Sequence, residues 1–136
     1  MKKSIETAFL ETNYIVHLKT DLVLRIGEDG KNLLSQLGHL KSWAFVTAWN
    51  PLPEVLSLEE NEIRNEAMKK QLLGDGYSFW PATGISKDGN WSETSILIEN
   101  ISLKAAHRIS AQFGQLAFLY GDPFEGNQLV FTNKNQ

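Results

Sequence analysis

Short stretches of alternating and of continuous apolar residues divide the chain, and glycine, proline and capping residues punctuate them. Ser4-Ile5-Glu6-Thr7-Ala8-Phe9-Leu10-Glu11 fits a short N-terminal helix or arm within 1–12. Tyr14, Val16 and Leu18, then Leu22, Leu24 and Ile26, alternate with their neighbours on either side of Thr20-Asp21. That is the signature of two half-buried strands joined as a hairpin. Gly27-Glu28-Asp29-Gly30 ends the second strand, and a helix of about nine residues follows, stopping near Gly38.

Trp43 to Ala48 is almost continuously apolar, which suits a strand covered on both faces, and Asn50-Pro51-Leu52-Pro53 stops it. Ser57-Leu58-Glu59-Glu60 is a capping box that opens a helix running to about Leu73, with Glu60–Arg64 and Glu66–Lys70 as i,i+4 pairs. Tyr77 to Trp80 reads as a strand, 83–93 as a polar loop turning at Lys87-Asp88-Gly89-Asn90, and Ser95 to Ile98 as a buried strand. Ser102 caps a helix whose Ala105, Ile109 and Phe113 form one stripe, and Gly114 closes it. Leu116 to Tyr120 and Gln128 to Phe131 are two further strands, the second edge-like. The order α-β-β-α-β-α-β-β-α-β-β predicts an α+β or α/β single-domain sandwich, a mixed β-sheet with about three main helices packed on it. With no repeat, linker or composition shift, 1–136 reads as one domain, its last residues from 132 to 136 frayed.

Composition excludes function classes without naming one. A chain of 136 residues, 42% apolar and 21% charged, can bury a core unaided. It has no cysteine, so disulfides, thiolate metal sites and a Cys nucleophile are ruled out. The net charge is −3, and basic residues are scattered, with Lys2-Lys3 and Lys69-Lys70 as the only adjacent pairs. That argues against a nucleic-acid partner, although four tryptophans could stack bases. No run approaches the ~20 apolar residues of a membrane span, and Glu6 and Glu11 interrupt any signal-peptide core. The expected location is the cytoplasm, with no membrane partner. His17, His39 and His107 form no ligand-like pattern with one another or with carboxylates, so no metal or other cofactor is expected. There is no phosphate-loop motif and no Gly-x-Ser-x-Gly elbow. The amides of Gly27 to Gly30 could face an anion, but two acids in that turn oppose it.

The candidate chemistry lies at strand ends. Thr47, Trp49 and Asn50 follow one buried strand, Trp91 and Glu93 lead into another, and Gln115 leads into a third. Glu59 and Asn61 open the capped helix. Amides and carboxylates supply directional bonds and aromatics exclude water, as a ligand crevice in an open sheet requires. Thr47, Trp49, Asn50, Asn61, Trp91 and Gln115 are the expected ligand-binding residues. Glu93 is the first candidate for a catalytic general acid/base, because a tryptophan two residues away would desolvate it. Glu59 is the second, placed where a helix N-terminus favours its charge. Each residue also has a structural reading: an Asx turn for Asn50, a satisfied loop amide for Gln115, core packing for the tryptophans.

These residues also carry a family resemblance. Leu24-Arg25-Ile26-Gly27, Trp43 through Pro51, Leu58-Glu59-Glu60-Asn61, Gly89 through Ser95 and Phe113-Gly114-Gln115-Leu116-Ala117 follow in one order. The chain resembles, from about Tyr14 to Gly121, the bacterial domain of unknown function 3293 family. The resemblance implies that Thr47, Asn50, Pro51, Asn61, Trp91, Glu93 and Gln115 are recurring positions. The chain departs from the pattern at Ala82-Thr83-Gly84-Ile85, where an acidic Gly-Glu-Gly stretch is expected. The family implies no reaction. The leading expectation is a strand-end pocket for a polar, nucleotide-like small molecule. The alternatives are a protein-interaction or regulatory module using Trp49, Trp80 and Trp91, and a small hydrolase or transferase with a Glu general acid/base. The residues do not decide between enzyme and binder, nor the oligomeric state.

Overall fold

The computed structural model describes residues 5–50 and 55–132. Its elements, in chain order, are α1 (Ile5–Glu11), β1 (Asn13–Val16), β2 (Leu22–Leu24), α2 (Lys31–Gln36), β3 (Trp43–Val46), α3 (Leu58–Gly74), β4 (Phe79–Ile85), β5 (Ser92–Glu99), α4 (Leu103–Gln112), β6 (Ala117–Asp122) and β7 (Gly126–Phe131). This is the predicted order of helices and strands. The strands form one seven-stranded sheet, β2-β1-β4-β5-β3-β6-β7.

The fold is α+β, one of the two predicted classes. Every neighbouring pair in the sheet is antiparallel. The expected mixture of directions occurs only between strands that do not touch. The helix α3 joins β3 to β4 and α4 joins β5 to β6, each pair running parallel, but β5 lies between the first two strands and β3 between the second two. A strand–helix–strand rhythm in a sequence predicts the crossover, not the strand inserted between its ends.

Side-chain alternation divides the core between the two faces of the sheet. Ala44, Val46, Ile96, Ile98 and Phe118 pack with Met68 and Leu72 of α3, Ile109 of α4 and Phe113 just beyond it. On the other face Trp43, Phe45, Leu97 and Leu119 join Tyr14, Val16, Ala82 and, around α2, Leu33 and Leu37. Both faces of β3 are covered, which is why Trp-Ala-Phe-Val contains no polar position. Each fully buried aliphatic side chain is worth roughly 2 kcal/mol.

Trp43 anchors the second face. It is fully buried, and its indole donates to Asn127 Oδ1 at 2.8 Å. A side chain at Gly30 or Gly121 would overlap the indole ring. The turn that begins at Gly27 docks on the start of β7: the Gly27 amide donates to Asn127 O at 2.8 Å and the Asn127 amide to Glu28 O at 2.9 Å.

Several boundaries differ from expectation. β4 and β5 extend into the predicted 83–93 loop from both ends, pairing Ile85 with Ser92 and leaving 86–91 as the connection. Pro81 lies within β4 where β1 ends, and its carbonyl takes the His17 amide at 2.9 Å. α2 is shorter than predicted. Thr132, expected to fray, is tied to the sheet: its amide donates to Leu116 O at 2.8 Å and its hydroxyl to Gln115 O at 2.6 Å. The rest of the tail expected to fray, residues 133–136, lies outside the described residues, as do Ser4 and Pro51. The capping box at Ser57 is present and occupies Glu60, while Arg64 turns elsewhere and Glu66 pairs with Lys69 at 2.9 Å. Among the described residues, no helix is long and apolar enough to cross a membrane.

Candidate functional site

A cavity of about 340 Å³ opens between α1 and the second face of the sheet. Its walls are mostly apolar: Phe9 from α1, Phe45 from β3, Leu119 from β6 and Leu129 from β7. Its polar residues include Thr47, Asn50, Glu93, Ser95 and Gln115, and Trp91 and Val55 also line it. This volume lies in the range of small-molecule sites, which are largely apolar with a few oriented polar groups.

Chain geometry at the end of β3 builds the polar group. Asn50 takes a left-handed backbone with φ of +44°, which asparagine tolerates better than other non-glycine residues. Asn61, 3% exposed on α3, holds it there. The Asn50 amide donates to Asn61 Oδ1 at 2.8 Å, and Asn61 Nδ2 donates back to Asn50 Oδ1 at 2.9 Å. The Leu56 amide donates to the same Oδ1 at 2.9 Å. With its oxygen committed, Asn50 directs Nδ2 at Glu93 Oε2, 3.2 Å away.

Glu93 sits on β5 opposite Gly84 of β4, and its exposure is only 9%. Burial raises its carboxyl pKa from an ordinary 4.5 to about 7, and the bond from Asn50 opposes that rise. A Cβ at Gly84 would lie 3.9 Å from both Ser95 Oγ and Thr12 Cγ2, so the bare backbone there leaves room beside Glu93. Gln115 is fixed by its Nε2, which donates to Trp49 O at 2.8 Å and Phe113 O at 3.3 Å. Thr47 donates to Thr94 O at 2.8 Å and accepts the Trp49 amide at 3.1 Å.

Thr47, Asn50, Trp91, Glu93 and Gln115 therefore meet at one cavity. The other three candidates stand apart from its wall. Asn61 lies behind Asn50 as its support, and Trp49 supplies the carbonyl that holds Gln115. Glu59 is exposed in the first turn of α3. Of the tryptophans considered as protein anchors, Trp91 is 48% exposed, whereas Trp80 is partly buried and donates its indole to Glu99 at 2.7 Å.

Sequence reasoning missed Arg64, Tyr14 and Ser95. Arg64 donates from Nε to Ala48 O at 2.7 Å and from Nη2 to Phe113 O, with its guanidinium 5.6 Å from the Phe113 ring centre. It thus joins the segments that carry Asn50 and Gln115. The signal was its place one turn beyond Asn61 on a helix whose buried stripe, Asn61, Asn65, Met68 and Leu72, is half polar. Tyr14 and Ser95 share the parity that brings Phe45 and Leu97 to the second face. Burial pushes the Tyr14 phenol up, against a hydrogen bond with Thr12 that lowers it.

The described residues contain no group of three His, Asp or Glu side chains that could hold a metal ion. His17 does have a carboxylate partner at i,i+4, contrary to expectation: Nδ1 lies 3.2 Å from Asp21 Oδ2, and Nε2 lies 2.8 Å from Thr83 Oγ1. His17 follows Val16, whose side chain packs on the cavity-side face, so it projects from the opposite face.

The family model described as protein of unknown function matches residues 46–118. This span is narrower than the resemblance suggested, but it includes Thr47, Asn50, Asn61, Trp91, Glu93 and Gln115. No curated protein and no solved structure matches the chain. The matched span covers more than half of the chain, which therefore belongs to the DUF3293 family of proteins of unknown function.

Proposed function

We propose that this protein binds a small, largely apolar molecule in the cavity beneath α1, with Glu93 and Gln115 facing the polar end of the ligand. The observation that carries this reading is the convergence of Asn50, Glu93 and Gln115, distant from one another in sequence, on one apolar cavity of ligand size. Burying a carboxyl there costs stability, and half-buried Asn50, held by buried Asn61, is arranged to meet it. Buried carboxyls with raised pKa values concentrate at functional sites, and this one faces a cavity.

The chemistry of the wall narrows the expected ligand. No Lys, Arg or His is among the described residues of the lining, so a phosphate would find no cationic partner. In place of the polar, nucleotide-like ligand that led the sequence expectations, we therefore favour an apolar body with one polar head. A specific observation favours a second reading, in which Glu93 exchanges a proton with the ligand. A carboxyl whose pKa lies near 7 can act as acid or base at neutral pH. The hydroxyls around it donate to backbone carbonyls, which supports binding ahead of covalent catalysis.

The test is native mass spectrometry of protein purified from its own host, beside a Gly84→Val variant that narrows the cavity. A released small molecule retained by the wild type and lost from the variant supports the reading. A ligand retained equally by both refutes the location.

A further inference from the structure

Resting on the small-molecule reading, the hydrogen bonds around the cavity select what could fill it. Thr12 Oγ1 donates to Ala8 O at 2.7 Å, Tyr14 OH to Phe9 O at 2.8 Å, Thr47 Oγ1 to Thr94 O at 2.8 Å and Ser95 Oγ to Glu93 O at 3.2 Å. Both protons of the Gln115 amide go to the carbonyls of Trp49 and Phe113. A carbonyl oxygen cannot donate, so these directions are not interchangeable. Each lining hydroxyl has spent its proton inside the protein, and Asn50 has turned an N–H to Glu93. What these side chains keep for a ligand is mostly lone pairs, those of the hydroxyls, Gln115 Oε1 and the Glu93 carboxylate, beside the second N–H of Asn50 and the Trp91 indole.

We propose that the cavity takes a small apolar amine, its ammonium set against Glu93 and Gln115 and its hydrocarbon body against Phe45, Leu119 and Trp91. An ammonium brings three donors and no acceptor, the complement of a wall in which acceptors outnumber donors. A carboxylate ligand would meet like charge and few donors, and its burial would go uncompensated. Glu93 and Tyr14 are the titratable groups in the described lining, and burial keeps the Tyr14 phenol neutral. A bound cation draws the proton off Glu93, so amine affinity falls as pH drops through the Glu93 titration.

Calorimetric titration of the whole protein with phenylpropylamine, phenylpropanol and phenylpropionate tests this at about pH 8. The amine is expected to bind at least about tenfold more tightly than the alcohol or the acid. Glu93→Gln, folded by its melting curve, should bring the amine to the level of the alcohol. In the wild type, lowering the pH from about 8 to about 6 should weaken the amine roughly tenfold and leave the alcohol unchanged. Binding of the acid as tightly as the amine, or amine affinity indifferent to pH, overturns the inference and leaves the cavity as a site. Binding of none of the three overturns the small-molecule reading beneath it as well.

Discussion

Replacing Glu93 with glutamine should stabilise this protein in alkaline but not in acidic solution. The folded-state carboxyl titrates near 7 instead of 4.5 because it is buried, so folding takes up a proton between those values. The folded state binds more protons than the unfolded state in that window, and stability falls as pH rises through it. Below about 4.5 the carboxyl is protonated in both states and the penalty is absent; above about 7 the penalty is complete. Each tenfold change in proton affinity is about 1.4 kcal/mol, which makes the full penalty about 3 kcal/mol. The glutamine of Glu93→Gln would resemble the protonated acid in shape, and its amide oxygen can still accept from Asn50. Urea denaturation should therefore find the variant within about 1 kcal/mol of wild type at about pH 4.5 and about 3 kcal/mol more stable, relative to that difference, at about pH 8. In melting temperature the gain at about pH 8 is on the order of 10 °C for a domain of this size. Other titrating groups are common to both proteins and cancel in the comparison. A stability difference that is the same at both pH values would refute a buried Glu93, and with it the polar end of the cavity.

Asn61→Ala removes the amide that fixes the left-handed Asn50, and should cost about 2–3 kcal/mol by chemical denaturation while raising the Glu93 pKa further. Arg64→Met strips the side-chain donors from two backbone carbonyls and should cost about 2–4 kcal/mol in the same assay. Gly121→Ala drives a methyl into the Trp43 indole and should destabilise by about 3 kcal/mol or more, detectable as a lowered urea midpoint. Gly84→Val gains strand propensity and finds space at its Cβ, so it should stay within about 1 kcal/mol of wild type while weakening phenylpropylamine binding in the calorimeter.

The element order was legible because α2, α3 and α4 begin or end on a recognisable signal and β3, the second half of β5 and β6 are apolar runs. The Ser57 capping box and the Ser102 cap are both observed where the residues predict them. Strand pairing was not legible, since β5 inserts between β3 and β4 across a long sequence separation. The ends of the 83–93 segment are strand because polar composition alone does not separate a loop from a strand that holds Pro81 and Gly84. Here one stands at the end of β1, and the other leaves room beside Glu93. At the site, polar residues at strand ends stood out against an apolar background, and five of the eight candidates line one cavity. Tyr14 and Ser95 did not stand out, because only the folded sheet brings their alternating positions beside Phe45. Arg64 was hidden by an ordinary i,i+4 spacing to Glu60, a partner that the helix cap had already engaged.

The most direct test follows the Glu93 side-chain carboxyl by carbon NMR from about pH 4 to about pH 9, with and without phenylpropylamine. The account predicts a midpoint near 7 in the free protein that moves toward the ordinary carboxylate range when the amine is added. A midpoint near 4.5 that the amine leaves in place would contradict both the buried carboxyl and the ligand set against it.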